Sequence, residues 1–246
     1  MPDFPPGTPM WVDLGTPDVD ASISFYGELF DWNASAPIEG AGGYRFFEQD
    51  GKMVAGLAPL MAPDQPPAWT SYVSVSDADE SVGIARSSGG SVLLEPTDVM
   101  DVGRVAIVAD PTGAALGLWQ PRRHTGAEIV NEPVSLTWNE LDTRDTEAAK
   151  PFYYLLFGWD AEADADYFTW RLNGKPVGGM TAMPPQVPAQ VPSYWLAFFA
   201  VSDTDAIEAK ARQLGAVVLV EPRDIPAGRF AVLQDPQGAA LGVIRM

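Results

Sequence analysis

"DPTGAALGLW" (110–119) returns near the end of the chain as "DPQGAALGVI" (235–244). A phrase repeated in order at such a distance points to duplication of a structural unit rather than to a local turn signal. Working outward, "WVDLGTPDVDASISFYGELFDW" (11–32) aligns without a gap on "WNELDTRDTEAAKPFYYLLFGW" (138–159), an offset of 127 residues. "WTSYVSVSDAD" (69–79) aligns on "WLAFFAVSDTD" (195–205), and "GRVAIVADP" (103–111) on "GRFAVLQDP" (228–236). The chain is two homologous modules, which we place at 1–120 and 135–246, joined by a polar, proline-bounded linker at 121–134 that carries the only histidine, His124. With no apolar periodicity around it, His124 is expected at the surface.

Each module reads as the same series of elements. "MWVDLGT" alternates as a strand does, and "DVDASISFYGELF" follows an Asp start signal with apolar residues at Ile23, Tyr26, Leu29 and Phe30, the spacing of one helix face. Asp50-Gly51 and Asn173-Gly174 sit at equivalent places between apolar runs, the signature of a two-residue hairpin. A further strand, a helix ending at Gly89-Gly90, a strand over "SVLLEPTDV" and a closing hairpin complete the module. The predicted fold is α+β: tandem βαβββ units, four in all, forming two curved mixed sheets.

Composition narrows the function. The 246 residues carry 33 acidic against 15 basic side chains, a formal charge of -18 that repels phosphate backbones and anionic membranes. Nucleic acid and membrane are therefore excluded as expected partners, and a small neutral or cationic molecule is favoured. The absence of cysteine removes disulfides, thiolate nucleophiles and Cys-ligated metals, and a single histidine removes sites needing two. No stretch is apolar for long enough to span a bilayer, and the N-terminus lacks the pattern of a secretion signal, so a cytoplasmic protein is expected.

The order of elements, with "FY" in the first helix and "DPxG" entering the last strand, resembles the vicinal oxygen chelate superfamily of glyoxalases, bleomycin-resistance proteins and extradiol dioxygenases. The resemblance covers nearly all of 8–120 and 135–246. It implies that paired βαβββ units curve into a cup that holds the ligand, and that metal-dependent members place His or Glu on the first, central and last strands. Carried onto this sequence, those positions are Trp11, Thr70 and Gly117 in one half, and Trp138, Leu196 and Gly242 in the other. None is a histidine or a carboxylate, so neither metal nor other cofactor is expected.

Residues two apart on a strand share a face. If the vacated positions face inward, the candidate ligand-binding set is Trp11, Asp13, Tyr72, Ser74 and Trp119, with Trp138, Glu140, Asp142 and Phe198 in the other half. Such a lining suits a flat aromatic or cationic molecule. Asp13 and Glu140, equivalent in the repeat, are expected to approach one another near the pseudo-twofold axis, with Arg104 and Arg229 as their ion-pair partners. The functional expectation is a metal-independent binder of the sequestration or resistance type, its cup between the modules. The alternative is an enzyme of the same superfamily, a lyase, isomerase, glyoxalase or hydroxylase-like catalyst, using cup carboxylates or an unorthodox metal site. A monomer suffices for such a cup, and a homodimer is compatible with it.

Overall fold

The computed structural model describes residues 2–62, 64–185 and 187–246. The N-terminal module runs β1 (Pro9–Thr16), α1 (Val19–Phe30), β2 (Asn33–Ala34), β3 (Arg45–Gln49) and β4 (Lys52–Pro59). A second unit follows: β5 (Ala68–Ser74), α2 (Ala78–Ser87), β6 (Ser91–Val99), β7 (Gly103–Ala109) and β8 (Ala115–Pro121). The C-terminal module repeats this as β9 (Leu136–Thr143), α3 (Thr146–Phe157), β10 (Asp160–Asp164), β11 (Tyr167–Leu172), β12 (Lys175–Ala182), β13 (Tyr194–Ala200), α4 (Thr204–Gln213), β14 (Val217–Ile225), β15 (Gly228–Gln234) and β16 (Ala240–Arg245).

Local chemistry sets the boundaries. All four helices begin at an aspartate, Asp18, Asp77, Asp145 or Asp203, whose carboxylate accepts from a backbone N–H in the first turn, satisfying donors that a helix start leaves free. The hairpins β3–β4 and β11–β12 turn at Asp50-Gly51 and Asn173-Gly174. All four of these residues have positive φ, as the tight turn matching strand twist requires.

Each module makes its own sheet of eight strands, in the order β2-β3-β4-β1-β5-β8-β7-β6 and β10-β11-β12-β9-β13-β16-β15-β14. β1 and β5 pair antiparallel at the centre, and so do β9 and β13. Each cup therefore lies within one module, which corrects the expectation of a cup between modules. The physical reason is that the second unit of each module returns after a short connection, residues 60–67 in the first, and pairs directly with the strand that opened it.

What lies between the modules is the shared core. One buried cluster joins Leu14, Tyr26, Phe30, Trp32 and Trp69 to Phe199, Leu233 and Val243. Another joins Val73, Leu116 and Leu118 to Phe152, Tyr153, Trp159 and Trp195. At the centre Ser71 of β5 donates to Asn139 of β9 at 2.6 Å, fully buried. Neither module covers its apolar back alone.

The repeated motifs explain themselves at this junction. Asp235 of the second "DPxG" accepts from the backbone N–H groups of Gln237, Gly238 and Ala239 through Oδ1, and through Oδ2 from the Tyr26 hydroxyl of the other module at 2.8 Å. Asp110 does the same for Thr112 and Ala114 and takes the Tyr153 hydroxyl at 3.0 Å. Trp69 and Trp195 donate their indole N–H to those two tyrosines. The tyrosine of each "FY" and the aspartate of the opposite "DPxG" thus form two reciprocal buried bonds.

Candidate functional site

Because the backs of the sheets meet, the two cups face away from each other. Asp13 and Glu140 occupy equivalent positions in separate cups and do not form a pair, since the axis relating them passes through the shared core. Their expected partners are also elsewhere. Arg104 binds Asp79 and Asp98, and Arg229 binds Asp205 and Asp224. On β7, Val105 and Ile107 register with the cup positions Trp119 and Gly117, so Arg104 points the other way, to the first turn of α2.

In both cups a tryptophan of the first strand binds a tyrosine hydroxyl. Trp11 donates its indole N–H to the Tyr44 hydroxyl at 2.9 Å, and Tyr44 donates to Asp13 at 3.4 Å. Trp138 donates to Tyr167 at 2.9 Å, and Tyr167 opposes the upward shift of the Glu140 carboxyl. Gly56 and Gly179 make this geometry feasible, because a Cβ there would lie 1.9 and 1.7 Å from the two phenolic oxygens. Tyr44 and Tyr167 were missed in the sequence; they sit at an end of the third strand of each module, a regular place visible only once the register is known.

Burial pushes the Asp13 carboxyl up to about 7 against the hydrogen bonds from Tyr72 and Tyr44. Glu140 is pushed up to about 7, chiefly by burial and then by the Asp142 charge, with Tyr167 and Arg223 opposing. Asp142 rises to about 6, again through burial, with Tyr194 opposing. Carboxyls poised there donate and accept hydrogen bonds near neutrality.

The vacated family positions do not leave free space. The Tyr72 ring lies across Gly117 and the Phe198 ring across Gly242, so a Cβ at either would sit 2.1–2.2 Å from ring carbons. An aromatic side chain from the neighbouring strand thus covers the place a metal-binding carboxylate would need. With Trp138, Leu196 and Gly242 in the positions of the ligand set, the donors do not fit a metal. No cluster of three or more His, Cys, Asp or Glu suited to one occurs among the described residues.

The cups then diverge. In the N-terminal cup Trp11 is 4% exposed and Trp119 9%, because the segment after β8 folds back over them. The His124 imidazole packs edge-on against Trp11 at 4.6 Å between centroids, with Trp119 at 5.5 Å and Phe46 at 5.9 Å. Its carbonyl accepts from the Trp119 indole N–H, and its N–H donates to Val102. Ala127 and Glu128 bond to Met10 and Met53, and Phe4 joins the same cluster. His124 is therefore a half-buried stopper rather than an exposed linker residue, and burial pulls it down to about 4. Ser74 is buried opposite Trp119, its backbone tied to Gly7 and Thr8.

The C-terminal cup has no such cover among the described residues. Its apolar cluster of Leu196, Phe198, Phe230, Val232 and Ile244, with Trp138, Tyr194 and Val220 at its edge, comes wholly from the sheet. Trp138, Glu140, Tyr167 and Tyr194 are only partly buried. This cup also carries polar groups the other lacks. Asp142 and Tyr194, paired across β9 and β13, stand where the first cup has Gly15 and Ala68. Arg223, over the Phe230 ring at 4.9 Å, stands where it has Thr97. Of the nine candidate residues, Trp138, Glu140, Asp142 and Phe198 come together here, while Trp11, Asp13, Tyr72, Ser74 and Trp119 line the stoppered cup.

Comparison with known proteins places this architecture. Residues 9–118 match the profile of the Glyoxalase/Bleomycin resistance protein/Dioxygenase superfamily, and 138–244 that of a glyoxalase-like domain. The protein named "Putative glyoxylase CFP32" of Mycobacterium tuberculosis is 42% identical over 99% of this chain and 96% of its own. The anthracycline biosynthesis protein DnrV of Streptomyces peucetius is 40% identical over 100% and 96%. In fold, the Mn(II)-bound glyoxalase of Novosphingobium aromaticivorans superposes with a TM-score of 0.66 at 15% identity, covering 98% of this chain and 82% of that one. The chain belongs to the glyoxalase/bleomycin resistance protein/dioxygenase superfamily, as a two-module protein of the vicinal oxygen chelate fold.

Proposed function

We propose that the protein binds a small aromatic or cationic molecule in its C-terminal cup without the aid of a metal ion. The observation that carries this reading is the difference between duplicated halves: one cup is stoppered by the chain itself, while its twin keeps Trp138 and Glu140 partly exposed, with Asp142 buried beside them. Aromatic faces supply area and stacking, and near-neutral carboxyls supply hydrogen bonds or, when ionised, a counter-charge. The two Streptomyces relatives named for anthracycline biosynthesis make a flat aromatic compound the natural class to try first. Sequestration or carriage is the activity such a site performs unaided.

One observation favours a second reading, catalysis by proton transfer. Glu140, held at about 7 beside Asp142, is tuned as a general acid or base would be. Native mass spectrometry and elemental analysis of protein purified without added metal test the first reading. A retained organic compound with no stoichiometric metal supports it; about one divalent ion per chain overturns it. Turnover of the retained compound, abolished by Glu140→Gln, would establish the second.

A further inference from the structure

We infer that the His124 imidazole holds, inside the N-terminal cup, the place that one ring of a fused aromatic ligand takes over Trp138 in the C-terminal cup. This rests on the C-terminal cup being the binding site and specifies how that site is used.

The two cups share one strand register. Asp13 registers with Gly56 as Glu140 does with Gly179, and Trp11 with Tyr72 as Trp138 does with Phe198. A ring that packs on Trp11 therefore has a defined counterpart on Trp138. His124 is held there for its shape: three aromatic rings surround it, and its Nε2 is buried without a hydrogen-bond partner. Trp138 is partly exposed, and no aromatic ring among the described residues packs on it.

The differences between the cups set the size of the occupant. Phe46 and Trp119, which close the box around His124, register with Gly56 and Ser74. Thr169 and Ile244 register with the equivalents Gly179 and Ala200. Two large rings are thus replaced by two smaller side chains at the positions that enclose the imidazole in the other cup. At its edge Arg223 lies over Phe230 and carries a charge that reaches Glu140. The occupant that fits is a system of two or more fused rings bearing an oxygen substituent, its ring face or edge on Trp138 and its oxygen toward Glu140 and Arg223.

The test is a calorimetric titration of the full chain with naphthol, alongside indole N–H spectra of the tryptophans. Wild type should bind one equivalent, shifting the Trp138 signal and leaving Trp11 undisturbed. Trp138→Ala should weaken binding at least tenfold, and Thr169→Phe, which narrows the box without touching the core, should do the same. His124→Gly should add a second equivalent in the N-terminal cup, with the Trp11 signal now moving. One equivalent that ignores Trp138→Ala or Thr169→Phe, or a folded His124→Gly protein that gains no second equivalent, overturns the inference and leaves the C-terminal binding site standing. No binding by wild type, with naphthol or with a larger dihydroxyanthraquinone, overturns that site and the inference with it.

Discussion

Tyr26 of the N-terminal module donates its hydroxyl to Asp235 of the C-terminal module at 2.8 Å, across 209 residues of chain, and Tyr153 returns the bond to Asp110. Both bonds are buried and each tyrosine also accepts from a tryptophan. Removing one hydroxyl strands an Asp Oδ2 and an indole N–H together. Tyr26→Phe and Tyr153→Phe should each cost about 1–3 kcal/mol in chemical denaturation. Their equivalence predicts similar losses, and a single cooperative transition should persist in both.

Gly117 and Gly242 are required by the rings lying on them. Gly242→Ala puts a methyl 2.2 Å from the Phe198 ring and should destabilise by about 1–3 kcal/mol. Combining it with Phe198→Leu should recover part of that loss, a coupling measurable by a double-mutant cycle. Installing a carboxylate with Gly242→Glu should not create a metal site, because the ring is in its way.

Stability should fall as pH rises through the neutral range. Asp13 and Glu140 are held up to about 7 and Asp142 to about 6, so the native state binds more protons than the unfolded chain. Their contribution is complete below the ordinary carboxylate range near 4 and is lost as pH climbs through 6 to 7. Asp13→Asn, which keeps acceptors for Tyr44 and Tyr72, should flatten this limb and gain about 1–2 kcal/mol at pH 8. Denaturation midpoints at pH 5 and pH 8 provide the comparison.

His124 should act with the opposite sign. Burial lowers its proton affinity to about 4, so its contribution is complete above the ordinary value near 6.5 and is lost as pH falls through 4. His124→Phe should remove that acid-side loss, on the order of 1–2 kcal/mol at pH 4, while keeping a ring on Trp11.

Fold and site were legible to different depths. The repeat, the helices with their Asp starts and the hairpins at Asp50-Gly51 and Asn173-Gly174 could be read because local chemistry determines them. So could the inward face: Trp11, Asp13, Tyr72 and Trp119 share it, while Leu14, Val73, Leu116 and Leu118 pack behind. Which strands share a sheet was not legible, since identical units offer pairing within a module or across modules equally well. Alternation places Arg104 away from the cup, one residue from the inward Val105, where α2 and β6 supply its carboxylates. His124 gave no signal because its burial depends on where a non-periodic segment lands, a tertiary fact with no local pattern.

The most direct measurement is a naphthol titration of chelator-treated protein, wild type against Trp138→Ala and Trp11→Phe, with melting curves to confirm that each variant is folded. Binding that survives chelation, is lost with Trp138→Ala and is unchanged in Trp11→Phe is the predicted result. Binding that appears only when a divalent ion is restored, or that follows Trp11 instead of Trp138, would contradict a metal-independent site in the C-terminal cup.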